Sequence, residues 1–208
     1  MTTCTILAHR RLALAIAATG LCACTATTPV ITAPATPTAT QTMPAASPAS
    51  IVANGDFEAA PPGGSNCPPQ WHCTMHADPK SFGFVVDEAV AASGKRSLRI
   101  ERLKNEPWGL AFQNAPVADL RGRAMRLSAK VRVADATGGG GGLFLAIDSP
   151  TGLALHEQRL SNGTREWHAA TIEFVVPANA TRIRIGAIQE GPGRTWIDDV
   201  SLVPGGAR

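Results

Sequence analysis

The stretch AMRLSAKVRV, residues 124–133, decides the fold. Met125, Leu127, Ala129, Val131 and Val133 fall on one parity; Arg126, Ser128, Lys130 and Arg132 fall on the other. Strand side chains point alternately to opposite faces, so this is a β-strand with one dry and one wet side. The same pattern recurs in both directions along the chain. It is legible in FGFVVD (82–87), SLRIER (97–102), GLAFQ (109–113), LFLAID (143–148) and LALHEQ (153–158). It continues in TIEFVV (171–176), TRIRIGAI (181–188) and TWIDDVSLV (195–203). No stretch keeps a helical period over three turns. About nine short strands in about 150 residues predict an all-β fold, a two-sheet antiparallel β-sandwich of jelly-roll type spanning 51–204.

Turn chemistry supports the assignment. Ser149-Pro150-Thr151-Gly152 is a tight link, so 143–158 is expected to be a hairpin. Gly138 to Gly142 reads as a flexible loop; without a following Lys-Ser or Lys-Thr and a helix it is no phosphate-binding loop. On the hairpin, Leu143, Leu145 and Ile147 are expected in the core, which turns Phe144 and Asp148 outward. The same count places His156, Gln158 and Gln113 outward. Trp71 and Trp196 are expected as core plugs, the latter on the face of Val200. Trp108 and Trp167 remain as flat platforms on which a sugar ring could stack. An ordinary solvated face accounts for the same polar residues equally well.

The N-terminus reads as an export signal. His9, Arg10 and Arg11 precede an apolar run, Leu12 to Leu21, of about ten residues, too short for a permanent membrane span. It ends in Leu21-Cys22-Ala23-Cys24. That sequence resembles the lipobox of bacterial lipoproteins, which implies a signal peptide of residues 1–23 and lipidation of Cys24. An ordinary cleavage, for instance after Ala26, is the simpler alternative. Residues 24–50 are rich in Thr, Pro, Ala and Ser and carry no charge. Such a segment buries too little apolar surface to offset its ordering entropy, and is expected to act as a disordered tether. Extended, it would reach roughly 80 Å. Residues 205–208 form a short tail. Thr25 is not the Asp that commonly retains lipoproteins at the inner membrane, so an outer-membrane anchor is expected in a Gram-negative host.

Charge excludes a polyanion partner. Of nineteen basic residues Arg10 and Arg11 leave with the signal, so seventeen face sixteen acids. Near-neutrality gives no electrostatic case for nucleic acid. Of the five cysteines, Cys67 and Cys73 in CPPQWHC remain in the exported part. An even pair in an oxidising compartment predicts a disulfide. A metal site using His72 and His76, or two free thiols, are the alternatives.

NGDFE (54–58), SGKRSLRI (93–100), RGRAMRLSAKVRV (121–133), Trp167, VPANATRIRIGA (176–187) and WIDDVSLV (196–203) follow one another in a familiar order. Together they resemble the galactose-binding-like sandwiches, in particular carbohydrate-binding modules of the 4/9 type. The resemblance implies a non-catalytic module with a carbohydrate ligand. It also implies a structural Ca²⁺ held by Glu58 and Asp198, with Asp56 as substitute and backbone oxygens near Gly94–Ser97. Alternation independently turns Asp198 inward with Val200 and Leu202, where a carboxylate needs an ion or hydrogen bonds. No nucleophile elbow, HExxH or Walker pattern occurs. Scattered carboxylates still leave room for a glycan-active enzyme. An interaction domain with an envelope-protein partner is the other alternative, favoured by the scarcity of aromatics and the absence of tyrosine.

Overall fold

The structure, a computed structural model, describes residues 49–59, 61 and 66–205. The expected signal segment, Cys24 and nearly all of the tether lie outside the described residues. Ten strands and one helical turn follow in chain order. They are β1 (His72–Met75), β2 (Phe82–Asp87), β3 (Ser97–Arg102), β4 (Gly109–Ala115), α1 (Val117–Leu120) and β5 (Ala124–Ala136). Then come β6 (Gly141–Ser149), β7 (Gly152–Leu160), β8 (Gly163–Val175), β9 (Arg182–Gln189) and β10 (Arg194–Pro204). Two five-stranded sheets result, β1-β4-β9-β6-β7 and β2-β3-β10-β5-β8. Neighbouring strands are antiparallel throughout. The nine apolar alternations all became strands; β1, with four residues, is too short for alternation to reveal.

The central strand β5 behaves as its pattern demands. Met125, Leu127, Ala129, Val131 and Val133 are at most 4% exposed. Opposite them, across the core, stand Leu143, Leu145 and Ile147 of β6 and Ile183 and Ile185 of β9. On the wet side Arg126 pairs with Glu173, its cross-strand neighbour, at 3.0 Å. The hairpin also forms, with Ser149 opposite Gly152. Cys67 and Cys73 are joined in a disulfide, S–S 2.06 Å, which removes both sulfurs from any metal site. The loop it closes carries Trp71, packed on Phe57 at 5.0 Å, with its indole N–H donating to the Asn54 carbonyl.

Two local expectations fail. The second half of the glycine run is closely packed, and Gly141 and Gly142 belong to β6 rather than to a loop. A Cβ on Gly140 would lie 2.0 Å from the Leu160 carbonyl oxygen, and one on Gly142 2.1 Å from that of Gln158. These glycines let β6 and its approach lie directly against β7. The second failure is in β10, where the register slips between Asp198 and Ser201. One extra residue reverses parity beyond it. Ile197, Val200 and Leu202 face the core, while Trp196 pairs with Arg132 and Asp198 with Lys130 on the outer side. Trp196 is buried, but between Arg132 and Arg194 rather than in the core on Val200's face. The bulge is held by the start of the domain, Val200 N–H donating to the Gly55 carbonyl at 2.8 Å. This bond couples NGDFE to the closing strand.

Candidate ligand-binding face

The outer face of the β1-β4-β9-β6-β7 sheet is unusually apolar. In GLAFQ the structure turns Ala111 inward and leaves Leu110 and Phe112 outward, where Leu110 lies opposite Ile188 and Phe112 opposite Gly186. Phe144, Ala146, Leu110 and Ile188 form a second buried cluster, distinct from the core, with Trp108 and Phe112 packed against it. On β7, Leu155 stands opposite Ala146 and Leu153 opposite Asp148. These leucines are 54% and 52% exposed.

A cavity of about 200 Å³ opens on this face. Phe144, Leu110 and Ile188 line it together with Trp108, Leu153 and Leu155, and Glu157, Arg184 and Glu190 supply its polar rim. Trp108 is held from behind. The His76 ring meets it edge-on at 6.0 Å, and His76 Nδ1 is 2.8 Å from Glu106. At one end Arg159 bridges Glu157, at 2.7 Å, and Glu190. At the other, Asp148 is bonded by Arg182 at 2.7 Å and Arg184 at 3.3 Å. The Arg182 hydrogen bond, with Arg184 beside it, outweighs partial burial and holds the Asp148 carboxyl below its ordinary value. Arg184 Nε is buried without a hydrogen-bond partner.

Of the residues singled out from sequence, Trp108, Phe144 and Asp148 share this face. His156 and Gln158 do not: they lie opposite Leu145 and Leu143, on the reverse side of β7. Both are exposed only because β7 is an edge strand. The reason is the hairpin register, in which even positions on β6 meet odd positions on β7. Gln113 is also inward. It lies opposite Ile185, is 9% exposed, and accepts from Ala53 N–H at 3.2 Å, pinning the N-terminal segment. Trp167 is half-buried on β8 of the other sheet. Leu110, Phe112, Leu153, Leu155, Glu157, Arg184, Ile188 and Glu190 were missed. The available signal was that GLAFQ and LAL carry apolar residues on both parities, too many for a sheet with one wet side.

Glu58 and Asp198 converge on one loop. Glu58 Oε1 accepts from Lys95 and Arg96 N–H at 2.7 and 2.9 Å. Asp198 Oδ2 accepts from Ala92 and Ser93 at 2.9 and 3.1 Å, and Oδ1 from Asp199 at 2.8 Å. Asp56 instead caps the Glu58 amide. Amide donors satisfy carboxylates and repel a cation, and among the described residues no three acidic, His or Cys side chains cluster. The set as arranged does not fit Ca²⁺, which would require the loop to present carbonyls instead. Burial pushes Asp198 up to about 6 despite these bonds. A raised carboxyl stabilises the fold fully below its unfolded value and loses that contribution as pH rises through about 6. In chelator, stability should therefore fall by about 2–3 kcal/mol more between pH 4 and 7 in the parent than in Asp198→Asn. Urea titrations at each pH check this; parallel curves would refute it.

No protein-family profile and no curated sequence matches the chain. Solved structures do. A xylan-binding domain of carbohydrate-binding-module family 22 superposes with TM-score 0.56 and 16% identity, over 79% of this chain and 99% of its own. A family 61 module solved with β-1,4-galactotriose gives TM-score 0.51 and 18% identity, over 75% and 99%. A cyclase from Fischerella sp. TAU gives 0.52 and 16%, over 77% and 100%. The chain thus has the β-sandwich of carbohydrate-binding modules, a fold that also carries other functions.

Proposed function

We propose that this protein is a non-catalytic, carbohydrate-binding module of the cell envelope, its ligand seated on the outer face of the β1-β4-β9-β6-β7 sheet. One observation carries the reading. On a face that water should own, an aromatic and aliphatic floor is framed by paired charges, which suits a ring with one apolar face and hydroxyls at its edge. Glycan-array binding tests it. Trp108→Ala should weaken binding at least about tenfold, while Trp167→Ala, the same truncation at an equally half-buried tryptophan on the other sheet, should leave binding intact. No ligand on any array would sink the proposal.

The absence of catalysis belongs to the same reading. Glu157 and Glu190 are the carboxylates of the pocket, and both are tied to Arg159. An interaction domain is the second reading, supported by the exposed leucines on edge strand β7. Display by a lipid on Cys24, at the outer membrane in a Gram-negative host, completes the proposal; mass spectrometry of the mature N-terminus tests it. The structural Ca²⁺ that the resemblance implies at Glu58 and Asp198 would need the loop at residues 92–96 to turn carbonyls, not amides, toward these carboxylates. It requires a melting temperature that rises with calcium and falls with chelator.

A further inference from the structure

We infer that the pocket selects a 6-deoxyhexose, a sugar whose C6 is a methyl group rather than a hydroxymethyl. The inference rests on the carbohydrate reading and deepens it. Three features converge. First, Leu153 and Leu155 rise on one side of the pocket, each more than half exposed, beside a floor in which Phe144 is only 3% exposed. An apolar wall next to a sugar ring removes water from whatever the ring presents there, and a hydroxyl in that place would be stripped of partners.

Second, the rim carboxylates Glu157 and Glu190 are already engaged, as is Asp148 beside the pocket, with the buried Nε of Arg184 left without a partner. Arg159 spans Glu157 and Glu190, and Asp148 holds Arg182 and Arg184. The carboxylates' remaining lone pairs can accept from a few ring hydroxyls, but they flank the leucines rather than face Leu155, whose own cross-strand partner is Ala146. Asp148 stands opposite Leu153 at one end, and Glu157, opposite Phe144, at the other. A ligand with fewer hydroxyls than an ordinary hexose loses less on entry. Third, a cavity of about 200 Å³ suits one ring at a chain end or branch better than a long polymer. A methyl against Leu155 with hydroxyls toward Glu157 matches the pocket's division into dry and polar sides.

The test uses the full chain and oligosaccharides that differ only at C6: L-fucose against L-galactose, and L-rhamnose against L-mannose, as terminal units. Titration calorimetry should show at least one 6-deoxy sugar binding about tenfold or more tighter than its partner. Leu155→Asn should bring that pair to within about twofold at unchanged melting temperature, because Leu155 is exposed and not part of the core. Trp108-dependent binding without preference for the methyl sugar in either pair overturns the inference and leaves the carbohydrate reading standing. Failure of every glycan to bind overturns both.

Discussion

Gly141→Val is expected to destabilise the domain by about 3–5 kcal/mol, as much as deleting a large core side chain. A Cβ at Gly141 would sit 2.0 Å from Thr195 Oγ1, 2.4 Å from Gln189 Oε1 and 2.8 Å from the Ile188 carbonyl oxygen. None of these can step aside cheaply. Gln189 and Thr195 are both fully buried and bonded to each other, and Gln189 Nε2 donates to the Gly191 carbonyl at 2.6 Å. The intruding side chain therefore overpacks the site and also breaks buried hydrogen bonds, each worth about 1–3 kcal/mol when a partner is orphaned. Against a total stability of about 5–15 kcal/mol, the variant would be near its limit. Gly83→Ala is the control, since its Cβ would meet only Leu103 at an ordinary 3.7 Å. Urea denaturation of both decides the matter; a loss under about 1 kcal/mol for Gly141→Val would show that the glycine run yields.

Trp196→Ala should be comparably damaging, by about 3–5 kcal/mol, although Trp196 lies outside the core. The ring is 3% exposed, with the Arg132 and Arg194 guanidinium groups 4.9 and 5.6 Å from its centre. Its N–H donates at 2.9 Å to Asp87, a carboxylate that is 8% exposed. Deleting the indole leaves two cations without their aromatic face and a buried acid short of a donor. Trp196→Phe keeps the ring and loses only the bond, so about 1–2 kcal/mol is expected. Calorimetric melting separates the two variants. Glycan binding by Trp196→Phe should match the parent, because Trp196 and the candidate pocket lie on different sheets. Lost binding at an intact melting temperature would contradict the assignment of the ligand face.

The candidate site was half legible beforehand. Phe144 and Asp148 followed from the alternation of β6, whose core parity is settled by Leu143, Leu145 and Ile147. Trp108 was recognisable as a flat side chain free of strand alternation. Gln113, His156 and Gln158 mislead because alternation puts the larger apolar residues of GLAFQ and LALHEQ inside, which turns these polar neighbours outward. In GLAFQ the polar Gln113 points inward to bind backbone, and the apolar Leu110 and Phe112 point outward to floor a pocket. A residue serving a ligand breaks the rule that apolar means inside, and strand periodicity cannot report the exception.

By itself, the sequence determined the all-β class, the strands from Phe82 onward, the dry face of AMRLSAKVRV, the hairpin and the cysteine pair. Each is local: a period of two, a turn dipeptide or a spacing of a few residues suffices. Tertiary structure decided what depends on distant partners. The bulge at Asp198–Ser201 is held by Gly55 and turns Trp196 and Asp198 to the outer side. Gly140, Gly141 and Gly142 are closely packed because Leu160, Thr195 and Gln158 fill the space a side chain would need. The pocket exists only because β4, β9, β6 and β7 lie side by side, which sums their outward residues into one surface. Alternation says which residues share a face of one strand; register and sheet order say which faces meet.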